Sequence, residues 1–153
     1  MNKTLIYAAL TFILCVSHVA TAFSQVKPET LVKERQSAMI LMSKYFDNQL
    51  RPMARGTVPY DATIVERNAG YLDVLIKMPW EGFDPATKGI KSRSTPATFT
   101  DTAKFKDAQD RAQGEIAKLV AVSKGGTEAA VKSQIEGVNK ACGSCHETFR
   151  ERQ

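Results

Sequence analysis

The last quarter of the chain carries an apolar stripe that restricts the fold more than any other feature. Its members recur in alternating steps of four and three residues: Val131, Ile135, Val138, Cys142, Cys145 and Phe149. This spacing places them on one face of an α-helix, which must bury that face against other helices. Thr127 precedes the stripe and is a residue type that caps helix N-termini. The segment therefore predicts an amphipathic helix within a helical assembly.

Three earlier segments have the same helical spacing. They predict a first helix from about residue 27 to Pro52 or Gly56, a second from Asp61 to just before Pro79, and a third from about residue 100 to Lys124. Their inward positions are predicted to be Leu31, Met39, Met42 and Phe46, then Ile64, Tyr71, Leu72 and Leu75, then Phe105, Ala112, Ile116 and Leu119. Residues 79–99, which are rich in Pro, Gly, Ser and Thr, predict a long loop without regular structure. Four helices and no two-residue alternation predict an all-α antiparallel four-helix bundle.

The N-terminal segment has the features of a secretory signal. Lys3 precedes an apolar run from Leu5 to Val19, and the small residues Ala20 and Ala22 give a cleavage pattern. The run is short for a membrane helix, which needs about 20 apolar residues. We therefore predict a signal peptide at residues 1–22, a single domain at residues 23–153, export to the periplasm and no stable membrane insertion.

The charge of the exported chain argues against nucleic acid as a partner. Removal of Lys3 with the signal leaves 20 basic and 16 acidic residues, a modest excess that is spread along the chain. No arginine-rich run or mixture of basic and aromatic residues is present, although either would be expected of a nucleic-acid-binding surface.

The sequence Cys142-Gly-Ser-Cys145-His146 is the strongest chemical feature of the chain. A structural zinc site needs four ligands, and the exported chain has no further Cys or His; two carboxylates could complete the set, but such mixed sites are uncommon. A redox dithiol is expected at the start of a helix after a strand, whereas this pair lies near the end of a helix. A disulfide between residues three apart on one helix would close a very small loop.

Covalent haem attachment is the interpretation that these five residues favour. Cys-x-x-Cys-His is the pattern of c-type haem attachment. Residues three apart on a helix place both sulfurs on one face, where they can bond one side of the macrocycle, and His146 lies beside them as a ligand for the iron. We therefore predict one haem c, joined to Cys142 and Cys145.

The first helix adds three candidates whose roles the pattern alone leaves open. Arg35 interrupts an otherwise apolar stripe, so its side chain either extends to the surface or binds a haem propionate. Met39, one turn further along, is either core filler or a second axial ligand. Arg150, one turn beyond His146, lies next to the imidazole or in solvent.

Five segments resemble class II c-type cytochromes, in particular the cytochrome c′ family. The matching sequences are ERQSAM (34–39), VPYDA (58–62), MPWEGF (78–83), AKF (103–105) and KACGSCHETFR (140–150). The C-terminal position of the haem motif is the most specific of them. The resemblance implies thioethers at Cys142 and Cys145, axial ligation by His146, and Arg35 and Gln36 near the propionates.

The resemblance also implies roles for three further residues. Met39 is expected over the open face of the iron, Arg150 beside the proximal histidine, and the loop around Thr95 over the haem edge. The chain departs from the family pattern in that loop, because Ala97 and Phe99 stand where glutamate and tryptophan are usual.

Two functions are compatible with this resemblance. Cytochrome c′ would have a five-coordinate, high-spin iron that binds NO and CO, with a role in electron transfer as well. A cytochrome of the c-556 type would be a low-spin electron carrier with Met39 as sixth ligand. MPWEGF favours the first. A peroxidase-like enzyme is disfavoured, because the exported chain lacks a second histidine. The partners expected are a redox protein and a second copy of the chain, bound through first-helix faces.

Overall fold

The computed structural model describes residues 26–152, and four long helices account for most of them. In chain order the helices are α1 (Pro28–Tyr45), α2 (Arg51–Ala54), α3 (Ala62–Leu75), α4 (Ala97–Thr100), α5 (Thr102–Ser123) and α6 (Glu128–Phe149). The long members α1, α3, α5 and α6 form an antiparallel four-helix bundle. The only β-type pairing in the described part is an isolated bridge between Ser94 and Arg150. The all-α prediction is therefore confirmed, while the predicted signal peptide at residues 1–22 lies outside the described residues.

The helix starts follow the local signals in the sequence. Pro28 occupies the first turn of α1, where its missing N–H costs no intrahelical bond. Asp61 caps α3 by accepting a hydrogen bond from the backbone N of Ile64 at 3.0 Å. Thr127 caps α6 by accepting one from the backbone N of Ala130 at 3.3 Å. The predicted caps at Asp61 and Thr127 are thus confirmed.

The first helical rod contains a π-helical turn that the sequence analysis did not predict. Residues Phe46–Leu50 form this turn between α1 and α2, and the backbone N–H of Arg51 donates to the carbonyl of Phe46, five residues earlier. Pro52 follows directly. A proline inside a helix lacks an N–H and its ring presses on the carbonyl four residues earlier, so a wider turn before it relieves the crowding. The rod then continues to Ala54, as predicted, and ends before Gly56, whose φ is +71°.

The core lies where α5 packs between α3 and α6, and it continues into the first rod. The residues that are almost completely buried include Leu50, Leu72, Ile116, Leu119 and Ile135. One predicted inward residue is wrong: Tyr71 is 44% exposed. It lies on the flank of α3, where its ring contacts Tyr45 of α1 with 4.9 Å between centroids. A tyrosine can cover such a seam while its hydroxyl stays in water.

The long loop, residues 76–96, has more structure than predicted. It contains two 3₁₀ turns, Trp80–Phe83 and Pro85–Thr87. The side chain of Asp84 caps the second turn by accepting a hydrogen bond from the backbone N of Ala86 at 2.7 Å. Residues 97–99, predicted as the end of the loop, are helical and form α4 together with Thr100. None of the helices within residues 26–152 is long and apolar enough to cross a membrane.

Candidate haem-attachment site

Cys142 and Cys145 lie one turn apart near the end of α6, and both are free thiols that are partly buried. Cys142 packs against the core cluster of the bundle, which is the group of buried apolar side chains that includes Leu50, Leu72, Ile116 and Ile135. Among the described residues no three His, Cys, Asp or Glu side chains lie together as a group that could hold a metal ion.

The thiols have environments opposite to those of redox-active cysteines. Burial raises the pKa of the Cys142 thiol to about 11, and the negative charge of Asp47 contributes to the rise. Burial also raises the pKa of Cys145. A catalytic dithiol needs a lowered pKa so that the thiolate forms near neutral pH. Both groups are therefore protonated thiols near neutral pH.

His146 follows Cys145 directly and lies in the last turn of α6, where its side chain is exposed. Partial burial of the imidazole lowers its pKa, and the positive charge of Arg150 lowers it further. The neutral imidazole, which is the form that binds metals, is therefore favoured. His146 thus has both the access and the protonation state that an axial ligand needs.

Two residues of the π-helical turn region lie near Cys142 and were not identified from the sequence. Asp47 and Arg51 form an ion pair at 2.7 Å, and the charges of both affect the pKa of Cys142, Asp47 raising it and Arg51 lowering it. The Nε of Arg51 is buried without a hydrogen-bond partner. The spacing of four residues predicts the ion pair, but only the fold shows that it faces α6.

Met39 lies on the inner side of α1, where it is partly buried and packed against the core cluster. Trp80, from the first 3₁₀ turn of the long loop, packs against the same cluster, and its buried Nε1 has no hydrogen-bond partner. Gln36, by contrast, is exposed on α1. The structure therefore places Met39 with the apolar interior and Gln36 on the surface.

The side chain of Arg35 is buried, with only 3% of its surface exposed. Of the two roles left open by the sequence, extension to the surface is therefore wrong. The charge is buried because polar groups of the long loop close over it. Its guanidinium donates to the carbonyl oxygen of Gly82 and to the hydroxyls of Thr87, Ser92 and Ser94. Burial lowers the pKa of Arg35. No carboxylate within residues 26–152 forms an ion pair with it.

Thr95 and Arg150, predicted at the haem edge and beside the proximal histidine, lie in neighbouring segments. The backbone N of Thr95 donates to the carbonyl of Phe149 at 3.1 Å, and its hydroxyl donates to the carbonyl of Thr148 at 3.0 Å. Arg150 is exposed, and its backbone N donates to the carbonyl of His146 at 3.2 Å. The long loop is thus attached to the end of the helix that carries His146.

Comparison with known proteins gives a consistent family match. Residues 30–150 match the family model described as Cytochrome C'. The cytochrome c′ of Alcaligenes xylosoxydans xylosoxydans is 35% identical over 127 residues, which cover 83% of this chain and 98% of the relative. A cytochrome c-556 of Rhodopseudomonas palustris is 30% identical over 152 residues, covering 94% of this chain and 97% of the relative.

The solved structures give the same result for the fold. The nitric oxide complex of a leucine-to-alanine mutant of cytochrome c prime from Alcaligenes xylosoxidans superposes with a TM-score of 0.77 at 34% identity. The match covers 85% of this chain and all of the other chain.

Proposed function

The chain belongs to the cytochrome c′ family, and we propose that it is a periplasmic cytochrome with one haem c, which binds NO and CO and transfers electrons. We further propose that its iron is five-coordinate and high-spin. The observation that carries this proposal is the position of Met39. It is packed against the apolar core cluster of the bundle, as a space-filling residue would be.

The residues present fit a covalently attached haem. Cys142 and Cys145 offer two free sulfurs on one helix face, and His146 beside them offers an imidazole that is neutral near pH 7. Arg35 is a buried cation without a carboxylate partner among the described residues, and Trp80 has a buried N–H without an acceptor. In this proposal the cysteines would hold the haem by thioether bonds, and His146 would bind its iron.

The bound haem would supply an iron that changes between ferric and ferrous and can take a diatomic ligand at its open position. The chain's own residues set what surrounds that position. The Met39 side chain has no hydrogen-bond donor, so it could not stabilise bound O₂ by a hydrogen bond. NO and CO do not need such a hydrogen bond in order to bind. The nitric oxide complex of the cytochrome c prime from Alcaligenes xylosoxidans supports NO as a ligand of this chain's haem. Arg35, Gln36, Thr95 and Arg150 are proposed to lie at the haem periphery, as the resemblance implies.

A mass measurement and a spectrum test the proposal. The exported protein should be heavier than its polypeptide by one haem, and the added mass should survive acid denaturation because thioether bonds are covalent. The resting ferric protein should give high-spin optical and EPR signals. A polypeptide of unmodified mass would contradict haem attachment, and low-spin signals would contradict the five-coordinate iron.

A cytochrome of the c-556 type is the second candidate. It is favoured by the match to the Rhodopseudomonas palustris cytochrome c-556, which extends over 94% of this chain. In that case Met39 would be the sixth ligand, and the protein would carry electrons without binding gases. Methionine ligation would also raise the reduction potential.

The proposed location is the periplasm, and the proposed partners are a redox protein and a second copy of the chain. Export with removal of residues 1–22 would place the domain, residues 23–153, in the periplasm. A redox protein is the expected electron partner. A homodimer is supported by apolar side chains exposed on α1 and near α3: Ile40, Leu41, Val74 and Met78. No enzymatic activity is proposed, because a distal acid–base group would be needed and Arg35 is engaged by the long loop.

A further inference from the structure

The hydrogen bonds that support the buried Arg35 all go to neutral oxygen atoms. A buried guanidinium is costly unless its donors are bonded. The Nη1 of Arg35 donates to the Gly82 carbonyl and, at 3.4 Å, to the Thr87 hydroxyl. The Nη2 donates to the hydroxyls of Ser92 at 2.8 Å and Ser94 at 3.1 Å. Each terminal nitrogen therefore has two acceptors, which is its full donor capacity.

These four acceptors connect distant points of the long loop. They span residues 82–94, and each lies 47 or more residues from Arg35 in the sequence. The guanidinium also lies over the ring of Phe83, 4.5 Å from its centroid. Only arginine offers five N–H donors in a planar fork, so a lysine could not reach all four acceptors.

The far end of the same loop is bonded to the end of α6. In addition to the two bonds of Thr95, the hydroxyl of Thr98 in α4, which directly follows the loop, donates to the carbonyl of Phe149 at 3.3 Å. The backbone N of Glu151 donates to the carbonyl of Arg93 at 2.8 Å. Carbonyl groups in the last turn of a helix have no intrahelical partner, so the three bonds accepted by Thr148 and Phe149 fix the turn that contains His146.

A row of aromatic rings follows the same route through the side chains. Phe83 contacts Phe105 of α5 at 4.8 Å between ring centroids, and Phe105 contacts Phe149 of α6 at 5.1 Å. Phe149 is buried and is also the residue whose carbonyl accepts from Thr95. Hydrogen bonds and ring contacts thus both lead from Arg35 to the end of α6.

We propose that Arg35 is a positioning residue, which holds the long loop closed and through it fixes the turn of α6 that carries His146. The role of His146 as iron ligand rests on the proposed function, whereas the closure of the loop does not. All four terminal N–H groups of Arg35 are occupied by the loop. Any bond to a propionate would therefore use Nε or displace a loop hydroxyl.

Hydrogen exchange of the haem-loaded protein tests this role with three variants. Arg35→Lys keeps the charge but lacks the fork, and the double variant Ser92→Ala/Ser94→Ala removes two acceptors without touching Arg35. Lys33→Leu is the control, because it removes a positive charge from an exposed position of α1. Exchange in peptides covering residues 84–95 and 148–151 should rise at least about tenfold in the first two variants and stay unchanged in the control.

A vibrational measurement separates positioning from a merely structural role. The iron–histidine stretching band of the ferrous protein should shift or broaden in Arg35→Lys and in the serine double variant, and not in Lys33→Leu. Unchanged exchange and an unchanged band in the serine double variant would overturn the proposal. A protein without covalent haem would contradict the proposed function instead, and the exchange of the loop would still be measurable.

Discussion

Asn68 of α3 donates a hydrogen bond from Nδ2 to Oε1 of Gln49 in the π-helical turn, at 2.9 Å. No part of Asn68 is exposed, and its own oxygen accepts a hydrogen bond from Nε of Arg67 at 3.2 Å. This contact joins α3 to the π-helical turn, which contains Asp47 and is followed directly by Arg51, the ion pair whose charges affect the pKa of Cys142. A buried amide with both of its groups bonded fixes one arrangement of the two helices.

We expect Asn68→Ala to lower the free energy of unfolding by about 1–3 kcal/mol, because the substitution removes buried hydrogen bonds and leaves Gln49 without its donor. Urea unfolding of the variant measures the loss. The matched control is Asn48→Ala, which changes an exposed asparagine of the same π-helical turn and should stay within about 0.5 kcal/mol of the wild type. Equal losses in both variants would contradict the importance of the contact with Gln49.

The helix boundaries and the haem motif were predictable because their signals are local. A cap such as Asp61 acts on a backbone N–H three residues away, and Cys142, Cys145 and His146 lie within five residues. The π-helical turn was not predictable in the same way. Its cause, Pro52, is visible in the sequence, but its stabilising partner Asn68 is 19 residues from Gln49.

Arg35 shows the same difference between local signals, which can be read from the sequence, and contacts between residues that are distant in the sequence. Helical spacing put Arg35 on the inward stripe of the first helix but left open whether its side chain extends to the surface, and the structure shows that it is buried. Its partners could not be predicted, because Gly82, Thr87, Ser92 and Ser94 lie in a loop whose polar residues follow no period. Tyr71 was placed wrongly, because spacing alone does not distinguish the centre of a buried face from its flank.

The close approach of α1 to the long loop predicts that Gly82 tolerates no side chain. A Cβ at this position would lie 2.6 Å from both the Cβ of Arg35 and the carbonyl oxygen of Leu31. We expect Gly82→Ala to lower stability by about 1–3 kcal/mol through overpacking. Gly114→Ala in α5 is the control, since nothing lies within 4 Å of its added Cβ, and alanine should stabilise the helix there by up to about 1 kcal/mol. Thermal unfolding of the two variants should therefore shift in opposite directions, and an unchanged Gly82 variant would show that the loop moves away freely.

The exposed apolar side chains of α1 and α3 predict self-association. Ile40 is 69% exposed and Val74 is 55% exposed, and two further exposed apolar residues, Leu41 and Met78, line one groove. A charge placed in an apolar interface lacks a partner, so Ile40→Glu and Val74→Glu should each dissociate the dimer at micromolar concentration. Sedimentation equilibrium gives the mass directly. Val58→Glu is the control because Val58 is exposed in the connection before α3, and its mass should remain that of the dimer. A wild-type protein that sediments as a monomer would contradict the homodimer.

Met39 decides between the two functions, and two substitutions separate its possible roles. If Met39 only packs, Met39→Leu should keep the high-spin spectrum and cost less than about 1.5 kcal/mol, because the volume is nearly conserved. Met39→Ala should also keep the spin state, but it should lower stability by about 2 kcal/mol and speed CO binding several-fold by opening the space beside the iron.

If Met39 binds the iron, the wild type should be low-spin, and both substitutions should convert it to high spin, since neither leucine nor alanine can replace the thioether. EPR of the ferric proteins and stopped-flow CO binding to the ferrous proteins provide the two measurements. A low-spin wild type that becomes high-spin in Met39→Leu would establish the c-556 type of electron carrier and overturn the five-coordinate proposal.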